Sequence, residues 1–411
     1  MTSMVAERRL LHPDPVVRRL SWMVLVNTVG NGMFMTASAL YFTRFVGLGA
    51  GQVGLGLTVA GVCGVAASIP AGRAADRWGS RRVLRTLCVV QAAGMTAYVL
   101  VHSFAAFLAV VCLEVIADRA ASTARNTLYA DALPADTRVT ARAYLRAVTN
   151  VGIGAGAALA AIALQVDTRP AYLAVILGDA VTYLAVAVIL RWIPATPARV
   201  HARTGESRRG ALSDRPYLLV TALNGVLSLQ FAVLTIGIPL WIVRETAAPH
   251  ALVGATLLLN TVLVVVFQVR AARAARDVRQ AARACRIAGL LLAGYCLVVA
   301  VSHGLPAVPA SVVLLLAVAL GTAGEVLSQA GAWLLSYDLA ADHATGAYQG
   351  VFNAGTSAGL MIAPVVVTGT AIDHAPWGWA VPAALFALSG LAMVPAVRWA
   401  ARRRTLAAAH R

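Results

Sequence analysis

From residue 19 to residue 397 the chain is a near-unbroken series of long apolar stretches divided by short polar connections. Crossing the hydrocarbon core of a bilayer takes about 20 residues of α-helix. Inside lipid a backbone must satisfy its own N–H and C=O groups, so apolar stretches of this length become helices. Twelve can be delimited, at 19–46, 52–71, 83–101, 104–129, 142–165, 170–191, 216–243, 250–269, 285–302, 309–336, 346–370 and 377–397. Composition agrees: 59% of the 411 residues are hydrophobic, only 12% are charged, and mean hydropathy is +0.75. A soluble domain carries about 25% charged residues, which excludes a water-soluble enzyme. The expectation is an all-α membrane protein with twelve transmembrane helices and the lipid bilayer as its solvent.

All 34 basic residues are arginine, and the formal net charge is +17. In a soluble chain such a charge would point to nucleic acid. Here the arginines fall between apolar stretches, so no nucleic-acid partner is expected. They gather at the N-terminus, after spans two and four, around the central stretch, at 270–286 and at the C-terminus; the opposite connections hold Arg44, Arg169 and Arg244. Positive residues mark cytoplasmic loops, so both termini are expected in the cytoplasm of a multi-pass cell-membrane protein. The first span is too long for a signal peptide and lacks a small-residue cleavage site, so it is expected to be retained. The cysteines, Cys63, Cys88, Cys112, Cys285 and Cys296, form no Cys-x-x-Cys pair and no metal-ligand spacing with histidine. Neither a metal nor another cofactor is expected.

The sequence also repeats itself. Gln52-Val53-Gly54 opens span two and Leu252-Val253-Gly254 opens span eight; at the same offset, Gly72-Arg73-Ala74-Ala75 matches Ala272-Arg273-Ala274-Ala275. Tyr129 and Asp131 at the end of span four parallel Tyr337 and Asp338 at the end of span ten, and Tyr144 and Asn150 parallel Tyr348 and Asn353. The organisation read from this is a six-helix bundle over 1–191, a cytoplasmic central loop at 192–215 and a second six-helix bundle over 216–411. Repeats of this kind in a membrane chain place a binding site near the midplane where the halves meet.

The most specific motif follows span two: Gly72-Arg73-Ala74-Ala75-Asp76-Arg77-Trp78-Gly79-Ser80-Arg81-Arg82. Glycine at 72 and 79 suits a tight passage between helices. Asp76 stands among four arginines, where its carboxylate can pair or face a helix N-terminus. The stretch resembles the loop signature of the major facilitator superfamily, Gly-x-x-x-Asp-Arg-x-Gly-x-Arg/Lys-Arg/Lys, with every fixed position filled. The resemblance covers essentially the whole chain in topology. It implies two pseudo-symmetric six-helix bundles, transport by alternating access, and a role for Gly72, Asp76, Arg77, Gly79, Arg81 and Arg82 as a cytoplasmic latch favouring the outward-open state. The second-half counterpart, Ala272-Arg273-Ala274-Ala275-Arg276-Asp277, lacks the glycines and the Asp-Arg order, so a weaker latch is expected there.

Gly324-Glu325-Val326, Tyr348-Gln349-Gly350 and Ala363-Pro364 resemble spans ten and eleven of bacterial drug:proton antiporters within that superfamily. This implies export of a small organic molecule, a drug or metabolite, with the proton gradient as energy source. One departure stands out: span five holds Gly152, Gly154 and Gly156 but not the Gly-Pro pair usual in that class.

A charge at bilayer depth is costly and usually faces a cavity or a partner. Span four holds Glu114, Asp118, Arg119 and Arg125. Glu114 and Asp118 are four apart and share a face; Arg125 returns close to that face, where pairing with Asp118 by way of Ser122 is expected. Glu114 and Asp118 are candidates for proton coupling or substrate contact, against the alternative of a self-neutralising pair that holds helices together. Glu325, in cavity-lining span ten, is a further candidate, whereas Asp179 in span six reads as local packing. Asn27, Asn31 and Arg44 of span one, with Asn224 and Gln230 of span seven, complete the polar groups suited to a substrate site, though isolated ones also serve interhelical hydrogen bonding.

Two apparent motifs carry no chemistry here. Gly355-Thr356-Ser357-Ala358-Gly359 has nucleophile-elbow spacing but sits in a membrane helix rather than a strand-turn-helix. The glycines at 152–156 lack the strand context of a dinucleotide site, and no phosphate-binding loop points to ATP. The reading is a monomeric secondary transporter of a small-molecule substrate. Its alternatives are an importer or uniporter of the same fold and, from another class, a polytopic sensor or membrane enzyme.

Overall fold

The computed structural model describes residues 13–193, 210–273, 275–341 and 344–409. Arg8, Arg9, most of the central stretch 192–215 and Ala274 of the second-half repeat lie outside the described residues. Among those described, twelve long helices follow one another: α1 Pro15–Leu40, α2 Ala50–Trp78, α3 Ser80–Ala97, α4 Phe104–Ala132, α5 Ala135–Val166 and α6 Arg169–Ile189 in the first half. In the second half come α7 Arg215–Glu245, α8 Leu252–Ala272, α9 Val278–Val301, α10 Ala307–Asp338, α11 Thr345–Val366 and α12 Ala380–Ala409.

Local chemistry fixes several of the starts. Asp14 accepts from the backbone N–H of Val16 at 2.7 Å and of Val17 at 3.3 Å, with Pro15 at the first helical position of α1. Asp214 accepts from Tyr217 N–H ahead of α7, and Asp277 from Gln280 N–H ahead of α9. Each oxygen satisfies a donor that the helix itself leaves open. The α2–α3 turn is a single residue, Gly79, at φ +87°, a conformation that excludes most side chains.

Ten of the twelve helices are long and apolar enough to cross a membrane. The other two are α1, with Asn27 and Asn31, and α4, with its five charged residues, Glu114, Asp118, Arg119, Arg125 and Asp131. Both contribute polar side chains to the site below. Span seven, expected to be continuous, is interrupted: α-helix runs to Leu227, and the winding loosens to a π-helix over Val233–Gly237. Pro239, two residues on, supplies no N–H to the ladder.

Packing repeats with a shift of six helices. In the first half α1 packs on α5 and α6, α2 on α4, and α3 on α4 and α6. In the second half α7 packs on α11 and α12, α8 on α10, and α9 on α10 and α12. The contacts between halves obey the same relation: α2 meets α11 as α8 meets α5, and α4 meets α11 as α10 meets α5. The chain thus forms two pseudo-symmetric six-helix bundles. Outward-facing Leu55, Val181, Leu258, Leu316 and Val365 remain exposed, an apolar girdle suited to lipid.

Candidate functional site

The halves are joined by polar contacts at the end of the bundle that carries Asp76. Its carboxylate accepts from the backbone N–H of Gly346 at 2.7 Å and of Ala347 at 2.8 Å, in the first turn of α11. A helix start presents unpaired N–H groups and partial positive charge, so an anion from the other half is well matched to it. Gly72 lies against Gly346 so closely that a β-carbon on either would overlap the other's carbonyl oxygen. Arg77, Arg81 and Arg82 lie against residues of the first half. Arg81 donates to the carbonyl of Ile193 at 2.6 Å, Arg77 lies 5.7 Å from the Trp78 ring, and Arg82 lines an apolar surface groove with Arg73 and Arg77.

Two further cross-half contacts lie deeper. Arg142 of α5 donates to Tyr337 Oη of α10 at 2.6 Å and sits 5.0 Å from the Trp333 ring and 5.4 Å from that of Tyr129. Each such cation–π contact contributes about 0.5–2 kcal/mol, more as water is excluded. Asn353 of α11 donates to Thr123 Oγ1 at 3.0 Å and to the Arg119 carbonyl at 3.3 Å, and accepts from Ser122 Oγ at 3.4 Å. Among the described residues, every hydrogen bond between the halves lies between mid-depth and the Asp76 end.

Beside these contacts is a cavity of about 370 Å³, walled by both halves. Asn27, Asn31 and Met35 enter from α1, Arg125, Asn126 and Tyr129 from α4, and Arg142, Arg146 and Thr149 from α5. Opposite stand Asn224, Gln230 and Phe231 of α7, Ser328, Gln329 and Trp333 of α10, and Phe352 and Thr356 of α11. Several amides are anchored: Asn31 accepts from Tyr183 Oη at 2.9 Å, Asn224 donates to Thr356 at 3.0 Å, and Gln230 to Ser328 at 3.0 Å.

The candidates read from sequence are therefore divided. Asn27, Asn31, Arg125, Asn224 and Gln230 reach the cavity. Glu325 stands one layer behind it, accepting from Asn260 at 2.9 Å and from Gln329 at 2.9 Å, and only Gln329 is itself in the cavity wall. Glu114 does not reach the cavity; it is buried against Gly94 of α3, whose missing side chain leaves the notch that its carboxylate fills. Asp118 pairs with Arg119 at 3.8 Å rather than with Arg125, and Ser122, the expected intermediary, donates to Asn353 instead. Arg44 is far from the cavity, pairing with Asp167 at 2.7 Å at the opposite end of the bundle. Asp179 accepts from Thr182 within α6, a packing role.

Sequence reasoning passed over Arg142 and Arg146 by counting them as orientation signals. The signal was present: Arg138, Arg142 and Arg146 recur every four residues, which aligns them on one helical face. Asn353 was noted only as a repeat position, although an amide inside an apolar helix needs a partner.

The comparisons with known proteins agree with this geometry. A search of curated protein sequences finds no match. Among solved structures, the chain is similar to the human organic anion transporter MFSD10 (TETRAN), at 15% identity and a TM-score of 0.71, covering 92% of this chain and 98% of that one. It is similar to a bacterial homologue of the iron transporter ferroportin in an outward-facing state, at 14% identity and a TM-score of 0.74, over 95% and 100% of the two chains. It is also similar to the transporter FucP in the outward conformation, at 14% identity and a TM-score of 0.68, over 93% and 98%. Identities this low establish a shared fold alone. The sequence model of the family matches residues 20–364, and on that match the chain belongs to the Major Facilitator Superfamily, a family of membrane transporters.

Proposed function

We propose that the protein is a secondary transporter that exports a small organic solute across the cell membrane in exchange for protons, binding it in the cavity between the halves. The observation that carries the transport reading is the pairing of that cavity with cross-half bonds confined to one end. Opening the Asp76 end while closing the other converts one access route into its opposite, which is what alternating access requires. The arginine bias assigns the Asp76 end and both chain termini to the cytoplasm, so the conformation described here is outward-facing. Asp76 with Gly72 and Gly346 is its latch. The chain works as a monomer, with the proton gradient as energy source and no cofactor.

Glu325 is the proton carrier in this reading, because it is the carboxylate that touches a cavity-wall residue, through Gln329. The similar structures include an organic anion transporter, a homologue of an iron transporter and FucP, so the fold leaves the cargo to the cavity side chains. A second reading is movement without proton coupling, in either direction; it is favoured by the lack of any Asp or Glu among the described residues that line the cavity.

Reconstitution in liposomes with an internal pH dye separates the two. Antiport gives proton movement that starts with substrate addition and stops in Glu325→Gln while substrate binding persists. Substrate flux that ignores the pH gradient rejects antiport and supports the uncoupled reading. Labelling of residues 72–82 from the outer face would overturn the orientation.

A further inference from the structure

The cavity wall is unbalanced in charge. It holds three guanidinium groups, Arg125, Arg142 and Arg146, and no carboxylate among the described residues. Nearby acids are committed elsewhere: Glu325 to Asn260 and Gln329, Asp118 to Arg119, Asp179 to Thr182, and Glu114 to the α3–α4 interface. Arg142 is itself engaged, by Tyr337 Oη and by the faces of Tyr129 and Trp333. Two arginines remain. Neither Arg125 nor Arg146 has a hydrogen-bond or ion-pair partner among the described residues, and Arg146 Nε is buried without one.

Burial costs a guanidinium its hydration, and for Arg146 the attraction of Glu325, one layer behind the wall, offsets that only in part, since no carboxylate touches it. Arg142 beside it adds repulsion, and Arg125 places a third cation in the same wall. An arrangement of this kind is stable when an anion arrives to fill it, and a planar fork with paired N–H donors matches carboxylate, sulfonate or phosphate oxygens. The rest of the wall is neutral and half apolar. Phe231, 5.8 Å from the Arg146 guanidinium, stands with Trp333, Phe352 and Met35 around the same space. We infer that the cargo is an amphipathic organic anion, its acidic group held by Arg125 and Arg146 and its apolar body lying against Phe231, Trp333 and Phe352. This rests on the proposed reading of the cavity as the cargo site and adds the chemical class that it selects.

The test uses the full chain purified in detergent and two kinds of probe. The first is binding, by calorimetry, of a matched set that differs only in charge: benzoate and benzenesulfonate, benzamide, and benzylamine. The second is the rate at which a cavity cysteine, Thr149→Cys with Cys63 and Cys112 replaced by serine, reacts with anionic and cationic thiosulfonate reagents of equal size. The expected results are binding of the two anions at least about ten-fold tighter than of the amide or amine, and faster reaction with the anionic reagent. Arg125→Gln with Arg146→Gln abolishes both preferences. Arg125→Lys with Arg146→Lys keeps the charge and retains the reagent preference, which guards against a merely misfolded double variant. Absence of binding by both anions, amine or amide binding as tight as theirs, or equal reagent rates in the unsubstituted cavity overturns the inference. Failure of the transport reading looks different: the anion preference persists while no solute crosses reconstituted liposomes.

Discussion

Two aspartates occupy corresponding turns in the two halves and do different work. Asp76, in the last turn of α2, reaches across to the first turn of α11 and accepts from Gly346 and Ala347. Asp277, after α8, turns to its own helix and accepts from Gln280 N–H at 2.8 Å, while Gln280 in turn accepts from Arg276 N–H. The difference lies in the residues around them. Gly72 and Gly346 allow the α2 and α11 backbones to come within reach of a short side chain, whereas the position matching Gly72 is Ala272. The matching contact between α8 and α5 is apolar instead, with Val139 and Ala143 of α5 joining the second half's core. A pseudo-symmetric scaffold therefore carries an asymmetric lock, polar and directional on one side, greasy and permissive on the other.

The comparison breaks most severely at the glycine pair. Gly72→Val places two branches where the Gly346 carbonyl lies, and overpacking of this kind costs about 1–3 kcal/mol. The cost falls on the state in which α2 and α11 touch, so the equilibrium is expected to move about 10–100-fold toward opening at the Asp76 end. Transport is expected to fall with it. Amide hydrogen exchange over residues 345–350 measures the opening; unchanged protection there would show that the close approach is not what holds the end shut.

Asp76→Asn sharpens the same comparison with little change in shape. It removes the negative charge and one acceptor, and a hydrogen bond to a charged group contributes about 1.5–3 kcal/mol. The Ala347 or Gly346 amide should exchange about 10-fold faster, and transport should slow while expression is maintained. Full transport activity with unaltered exchange would deny the latch its role.

How far these parts could be read beforehand follows from which physical constraint fixes each. Lipid sets span length, so the helices fall where apolar runs fall. Their ends are less visible, because beyond the hydrocarbon a helix can be polar: α5 begins at Ala135, seven residues before the apolar run, through Asp136, Thr137 and Arg138. The latch was legible because a tight turn and a close backbone approach demand glycine in the sequence itself. The cavity was not, because depth along a helix says little about which neighbour a side chain meets. Glu114 and Arg125 lie on the same helix; Gly94 on α3 takes the first, while the space between the halves takes the second. The two arginines of α5 were hidden by their likeness to orientation signals, since a cation near a helix end serves either purpose.

Asp277→Ala asks whether the second carboxylate is only a cap. Loss of an N-cap costs about 1 kcal/mol, and the effect should be confined to its own half: a small drop in melting temperature, with exchange at Gly346 and Ala347 unaltered. Faster exchange at those two amides would mean that Asp277 also governs the lock, and the asymmetry argued above would be lost.

The smallest effect is expected at the opposite end of the bundle. Arg44 and Asp167 approach to 2.7 Å, but the arginine side chain is 59% exposed, and water weakens such a pair to about 0–1 kcal/mol. Both residues belong to the first half, so the bond does not join the bundles and its loss should not bias access. Arg44→Gln is therefore expected to leave transport and hydrogen exchange at 345–350 within error of the parent and to lower stability only slightly, as a melting curve at low salt would register. A large change in transport would place a gate at the end where the halves share no hydrogen bond among the described residues, and would move part of the lock away from Asp76.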